Sequence, residues 1–250
     1  MADVSVHMEP LDGLDQFEEA AGLYRTVFGY GEPSHGVNPR LLRSLVANGG
    51  SVVGARAEGG PADGKLVGFA YGFVGTDGRA TYHYSQAAVV DHRYQGQGIG
   101  RLLKLAQRDR AVQAGQTRMR WAFDPALVRN AHFNLDVLGA VGRKIEQNFY
   151  GRPGTDRLVV DWDLTRDLPA EPAYHAPPGI DDNATRWWEP QEVGGTTWIT
   201  LPADVRAGAA ARDRIGPALH EILDVGYVAV TCQRISGETG AYGLMREVGR

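Results

Sequence analysis

Residues 87–104 read Ala-Ala-Val-Val-Asp-His-Arg-Tyr-Gln-Gly-Gln-Gly-Ile-Gly-Arg-Leu-Leu-Lys, and no other stretch constrains the fold as much. An extended apolar run enters a glycine-rich turn, and the turn opens a helical pattern carried by Leu102, Leu103, Leu105, Ala106 and Val112 up to Gly115. Glycine brings backbone close to a ligand because no side chain intervenes. The first amides of a helix lack intrahelical partners and sit at the positive end of its dipole, so such a turn suits an anion. Diphosphate is the expected guest. Arg93 and Arg101 either add positive charge to it or face water.

Competing phosphate loops fit less well. A Walker loop ends in Gly-Lys-Ser/Thr, whereas Gly100 is followed by Arg101 and Leu102. A dinucleotide fingerprint is Gly-x-Gly-x-x-Gly directly after a strand; here the glycines run Gly96, Gly98, Gly100, well after Val90. A tight strand-to-helix turn with no ligand is the remaining alternative, and the order of the flanking elements argues against it.

That order is read from periodicity and turn residues. A short strand at 4–8 precedes helices at Leu14–Phe28 and Pro39–Ala47. Strands follow at 51–57, 65–74 and 80–90, then the loop and its helix at 101–114. A strand at Arg118–Phe123, a helix at 127–138 and strands at 144–150 and 157–164 complete a β-α-α-β-β-β-α-β-α-β-β series. This is an α/β chain of the α+β type. Residues 168–178 are rich in proline and read as a linker, after which a strand at 196–201, a largely helical 202–223 and strands at 226–233 and 241–246 form a further β-α-β-β unit. The expected organisation is a domain at 1–165, a linker at 166–195 and an extension at 196–250.

Bulk properties exclude several classes. A net charge of −4 gives no strong field for nucleic acid or a membrane surface. The single cysteine, Cys232, rules out a disulfide framework. The first residues lack a basic stretch followed by an apolar run, and the longest apolar-looking stretch is too short to span a bilayer. A cytoplasmic protein is the expectation, with no nucleic-acid, membrane or metal partner. The histidines are scattered, and His220-Glu221-Ile222-Leu223-Asp224 lacks a second histidine for zinc.

Arg93, Gly96 and Gly98 resemble the Arg/Gln-x-x-Gly-x-Gly/Ala signature of the GNAT acyltransferase superfamily, and the element order over about residues 4–164 is also similar. The resemblance implies acetyl-CoA or succinyl-CoA as cofactor. The diphosphate would lie on the amides of Tyr94, Gln95, Gly96, Gln97, Gly98, Ile99, Gly100 and Arg101, beside Arg93. The pantetheine arm would run along the strand ending at Val89 and Val90, where a GNAT fold splays its mixed sheet from the strand at Arg118–Phe123. Trp121-Ala122-Phe123-Asp124-Pro125, Asn130-Ala131-His132-Phe133-Asn134-Leu135, Leu138-Gly139-Ala140 and Asn148-Phe149-Tyr150-Gly151 resemble a narrower uncharacterised GNAT group found with N-acylamino-acid racemases. By that analogy the acceptor is a small amine, an amino acid, and the reaction a D-amino-acid N-succinylation. A homodimer stays open as the assembly.

The chemistry needs a neutral amine, a polarised thioester and a proton for the leaving thiolate. Many GNAT enzymes supply that proton from a tyrosine on the helix before the Leu-Gly turn; the matching position is Leu135. Tyr150 is the substitute acid, weighed against a half-buried corner tyrosine. Asp124 serves either as a base and ammonium anchor or as the start of an Asp-Pro turn. Asn130 and Asn134, four apart on one helix face, serve the cofactor or substrate or else bridge to a neighbouring strand. Tyr84 and Gln86 line the acceptor site if their strand face is the open one, and Arg120 or Arg129 pairs with a carboxylate unless it is a plain surface arginine. His132 reads as a surface or packing residue.

The segments 223–227 and 241–246 resemble the closing helix and strands of another GNAT half without a glycine loop. The extension either completes a sheet or covers a cleft, or it is unrelated. Two other functions stay open: an acyl-CoA-binding sensor, suggested by Leu135, and a protein N-acetyltransferase.

Overall fold

Ser51–Glu58 and the first seven residues of Leu66–Thr76 are buried at nearly every position instead of alternating, the pattern of strands covered on both faces. The computed structural model, which describes residues 5–32, 35–169, 173–177, 179–204 and 208–247 (side chains of 208–210 aside), shows what covers them. The chain divides into two units, residues 1–119 and 120–250.

In the first unit, β1 (Ser5–Pro10), β2 (Ser51–Glu58), β3 (Leu66–Thr76) and β4 (Thr81–Val90) pair in that order, each antiparallel to the next. One face carries α1 (Leu14–Phe28) and α2 (Pro39–Ala47), where Phe17, Ala20, Ala21 and Leu42 pack on Val52, Phe69, Tyr71 and Val89. The other carries α3 (Ile99–Gln113), where Ile99 and Leu103 pack on Val53, Ala55, Val67 and Ala70. Neighbouring residues Val52 and Val53 thus serve opposite layers, as a pleated strand requires. Asn38 caps α2 by accepting from Arg40 N, and Gly29 closes α1 in the left-handed region.

One irregularity positions the site. Tyr71 pairs with Ala87 but Gly72 pairs with Ser85, so Gln86 is an extra residue in β4. The bulge reverses the side-chain parity. Ala87 and Val89 join the α1 layer, whereas Ser85 and His83 turn toward α3.

The second unit opens with β5 (Arg118–Phe123), which starts at the boundary. β5 neighbours β7 (Arg157–Asp163), and the sheet continues through β6 (Val141–Glu146), β10 (Tyr227–Arg234), β11 (Thr239–Arg246), β9 (Thr196–Pro202) and β8 (Pro190–Val193). From β7 onward every pairing is antiparallel. Segment 196–250 continues this sheet within the second unit, where β10 joins the edge of β6 at Ala229↔Gly142. An exposed β6 edge would leave a row of unpaired backbone groups, and β10 covers it. The end of the expected linker forms β8. The helix expected from 202 is α5 (Gly208–Leu223), and residues 205–207 lie outside the described ones. The strand expected at 144–150 ends at Glu146; Asn148 has φ 49° and starts a turn.

The helix expected at 127–138 is broken. α4 spans Val128–His132, and Phe133–Val137 is a π-turn with Leu138 N bonded to Phe133 O at 3.1 Å. A regular helix places residues two apart on nearly opposite sides. The wider turn lets Asn134, Leu135 and Asp136 all be buried.

Candidate functional site

Asp91 organises the glycine loop. Its carboxylate caps the short turn His92–Tyr94 by accepting from Arg93 N at 3.0 Å. The Arg93 side chain folds back on the same carboxylate, Nε to Oδ1 at 3.1 Å and Nη2 to Oδ2 at 2.7 Å. The hydrogen bond from Arg93 outweighs burial and holds Asp91 down to about 2. His92 Nε2 donates to Val27 O at 2.9 Å, and its Nδ1 accepts from Gln95 Nε2 at 3.3 Å. Gln95 also donates to Val90 O at 3.0 Å. Arg93 thus builds the loop, with its guanidinium engaged by Asp91 while the side chain stays 64% exposed.

The glycine spacing has a backbone reason. Gly96 (φ 82°) and Gly98 (φ 78°) are both in the left-handed region, and Gly98 is the N-cap of α3. A Cβ on Gly98 would meet no atom within 4 Å, so the space before the first amides of α3 is open. Arg101 N and Leu102 N both bond Gly98 O, at 2.9 and 3.1 Å. Ile99 is buried and Tyr94 packs beside it, so the helix start is anchored in the α3 core. Gln97 and Gly100 are half-buried and Arg101 is exposed. Val89 puts its side chain into the α1 layer and Val90 packs with the α3 layer, which leaves any ligand contact from them to the backbone.

Behind the bulge lies a polar group that sequence reasoning did not assemble. Lys104, 4% exposed, donates from Nζ to Ser85 Oγ at 2.7 Å, and Ser85 donates to Gln107 Oε1 at 2.8 Å. Burial lowers Lys104 to about 7. His83, 2% exposed, has Nε2 at 3.2 Å from Ser51 Oγ. Burial, with the charge of Lys104, lowers it to about 4. Gly72 makes room for this ring, because a Cβ there would lie 2.4 Å from His83 Nε2. On β4, His83 and Ser85 take the buried face. Tyr84 is half-buried with its ring 5.3 Å from Phe73, and Gln86 is exposed at the bulge.

Several candidates in the second unit are otherwise engaged. Arg120 forks onto buried Asp161, Nε to Oδ1 at 2.7 Å and Nη2 to Oδ2 at 2.9 Å, so it is no open carboxylate receptor. Asp124 accepts from Ala126 N at 3.0 Å, which makes it a turn residue, and its other oxygen accepts from Arg212 Nε at 2.7 Å. That engagement speaks against a free base. Asn134 is 2% exposed; its Oδ1 accepts from Trp121 Nε1 at 3.0 Å and its Nδ2 donates to Asn130 Oδ1 at 3.3 Å. Asn134 thus bridges to β5, the second of the two readings its spacing left open, and Asn130 is half-buried beside it. Leu135 is in the core. Tyr150 is 59% exposed, with the Arg157 guanidinium 5.1 Å from its ring centre. Burial pushes the Cys232 thiol up, so it stays protonated and inert.

His132 turns out to be built into a dyad. Its Nδ1 lies 3.1 Å from both Asp136 Oδ2 and Cys232 O. Both are acceptors, so Nδ1 carries the proton. Hydrogen bonding to Asp136 raises His132 above its ordinary value against the opposing effect of burial. The i,i+4 spacing of His132 and Asp136 was visible in the sequence; the inward turn of Asp136 depends on the π-turn.

Residues 18–134 match the model of the acetyltransferase (GNAT) family. No curated protein matches the sequence. Among solved structures, a chain of the NatC complex bound to Gag peptide and CoA is similar over 64% of this chain and 98% of its own, with 14% identity and a TM-score of 0.50. The ribosomal-protein-S18-alanine N-acetyltransferase from Escherichia coli is similar over 65% of this chain and 96% of its own, with 17% identity and a TM-score of 0.50. Identities this low carry the fold alone.

Proposed function

We propose, from the match of residues 18–134 to the acetyltransferase (GNAT) family, that the chain is an acyl-CoA-dependent N-acyltransferase that moves an acetyl or succinyl group from coenzyme A to the amino group of a small molecule, an amino acid first of all. The observation that carries the reading is the opening of α3, where left-handed Gly96 and Gly98 precede the first amides and the space at Gly98 is open. These residues fit the diphosphate of coenzyme A. The amides of residues 94–101 would hold it, with Arg101 adding charge at the exposed rim and Arg93 fixing the loop through Asp91. When bound, coenzyme A supplies the acyl group as a thioester.

The chain's own part in proton transfer differs from the usual tyrosine route, since Leu135 has no proton to give and is 2% exposed. Tyr150 is the hydroxyl we assign to protonating the departing thiolate. The test is thiol release from acetyl-CoA and succinyl-CoA with D- and L-amino acids, simple amines and peptides. Turnover with amino acids supports the reading, and turnover with peptides alone replaces it by protein N-acetylation. Tight coenzyme A binding with no turnover favours a sensor, the reading that the missing tyrosine at Leu135 suggests.

A further inference from the structure

The second unit carries a cleft of ≈ 490 Å³ whose walls come from α4, the 175 segment, Ala203 and the end of β10. That volume suits a small organic molecule. Its polar lining is Arg129, His132, His175, Gln233 and Arg234, with Val128 and Ala203 as apolar wall, and among the described residues no carboxylate lines it. Among the described residues, neither Arg129 nor Arg234 makes an ion pair. Arg234 is held by Ser236 O and Gly237 O, at 3.2 and 2.5 Å, which orients the guanidinium without neutralising it.

The cleft is built, not incidental. Asp136 stands behind His132 with its side chain 1% exposed, and accepts from Thr231 Oγ1 at 2.6 Å, Cys232 N at 3.0 Å and Gln233 Nε2 at 3.3 Å. Its contact with His132 Nδ1 leaves Nε2 as the ring nitrogen for a ligand. Gln233 also grips the chain on either side of His175: its Nε2 donates to Tyr174 O, and its Oε1 accepts from Ala176 N at 2.9 Å. One side chain on β10 therefore fixes both the acid behind His132 and the segment that presents His175.

We propose that this cleft binds a small carboxylate with a short apolar body, the carboxylate accepting from Arg129, Arg234 and the Nε2–H of His132 in its imidazolium form, and the body lying on Val128 and Ala203. Guanidinium forks match carboxylate geometry. The site stands whether or not the chain transfers acyl groups, so its test uses binding alone.

The full chain, without coenzyme A, is titrated calorimetrically with N-acetylleucine and leucine (both enantiomers), leucinamide and inorganic phosphate. At least one carboxylate should bind, with leucinamide at least tenfold weaker. Arg129→Met should weaken binding about tenfold and Arg129→Glu should abolish it. Arg129 is exposed, so both variants should keep the wild-type circular dichroism and unfolding midpoint. The proposal is overturned if no carboxylate binds, if leucinamide or phosphate binds as tightly, or if Arg129→Glu, folded by those measures, binds like wild type.

Discussion

Lys104 Nζ and Ser85 Oγ lie 2.7 Å apart in a layer closed to solvent, so an ammonium-forming group is held between α3 and β4 with a neutral acceptor. Burial lowers its pKa from 10.5 to about 7. Between those values the unfolded chain binds a proton that the folded chain does not, so stability rises with pH across the window. The slope approaches about 1.4 kcal/mol per pH unit where one full proton separates the states. His83, lowered from 6.5 to about 4, gives a slope of the same sign but only below pH 6.5. Cys232, raised above 9, acts with opposite sign at higher pH. Urea unfolding from pH 7 to 9 should therefore show the Lys104 slope, and Lys104→Met should flatten it. An unchanged slope in the variant refutes the assignment.

Gly98 carries the second prediction. Its φ of 78° is costly for an L-residue, so Gly98→Ala should destabilise the chain by about 1 kcal/mol. The new methyl meets no protein atom within 4 Å and projects into the open space before α3. Coenzyme A binding should then fall at least tenfold, beyond what the stability change explains. Calorimetry at saturating folded fraction separates the two effects. Normal affinity in Gly98→Ala would place the diphosphate elsewhere.

Asp136 carries the third. Asp136→Asn replaces an acceptor of four hydrogen bonds by an amide that supplies one acceptor oxygen, so buried donors around Thr231 and Cys232 lose partners. A loss of about 2–3 kcal/mol is expected. His132 should also titrate lower, because the hydrogen bond to the carboxylate is the main cause of its raised value. A raised histidine pKa stabilises below the ordinary value near 6.5, and that contribution is lost as pH rises through the folded value. The His132 ring resonance in an NMR titration reads the shift directly. No shift in Asp136→Asn would mean that Cys232 O, not the carboxylate, controls the ring.

The sequence carried what is local. Gly96 and Gly98 were legible because a left-handed N-cap demands glycine whatever surrounds it. The parity of β4 was not, because the extra residue at Gln86 shows only in the pairing with Tyr71 and Gly72. Arg120 looked like a substrate anchor because its partner Asp161 lies 41 positions away and alternation names no partner. For the same reason the choice between the two readings of Asp124 and of Asn134 stayed open: their partners, Arg212 and Trp121, lie on other elements. The pairing of β10 with β6 was hidden because it involves Gly142 and Ala229, small residues that carry no motif.

Tyr150 carries the last prediction. Its hydroxyl lies on an exposed turn that Asn148 N and Asp156 Oδ1 (2.8 Å) close, so replacing the phenol disturbs no buried contact. Tyr150→Phe should leave the unfolding free energy within about 0.5 kcal/mol of wild type. If Tyr150 protonates the thiolate, kcat should fall about 100-fold with KM for the acyl donor nearly unchanged, since the proton is needed only as the C–S bond breaks. Acyl donors with more acidic thiols should recover much of the lost rate, because a better leaving group needs less help. A variant with normal kcat would pass the proton to solvent, which the exposure of this turn permits. A variant with raised KM and normal kcat would make Tyr150 a binding residue instead.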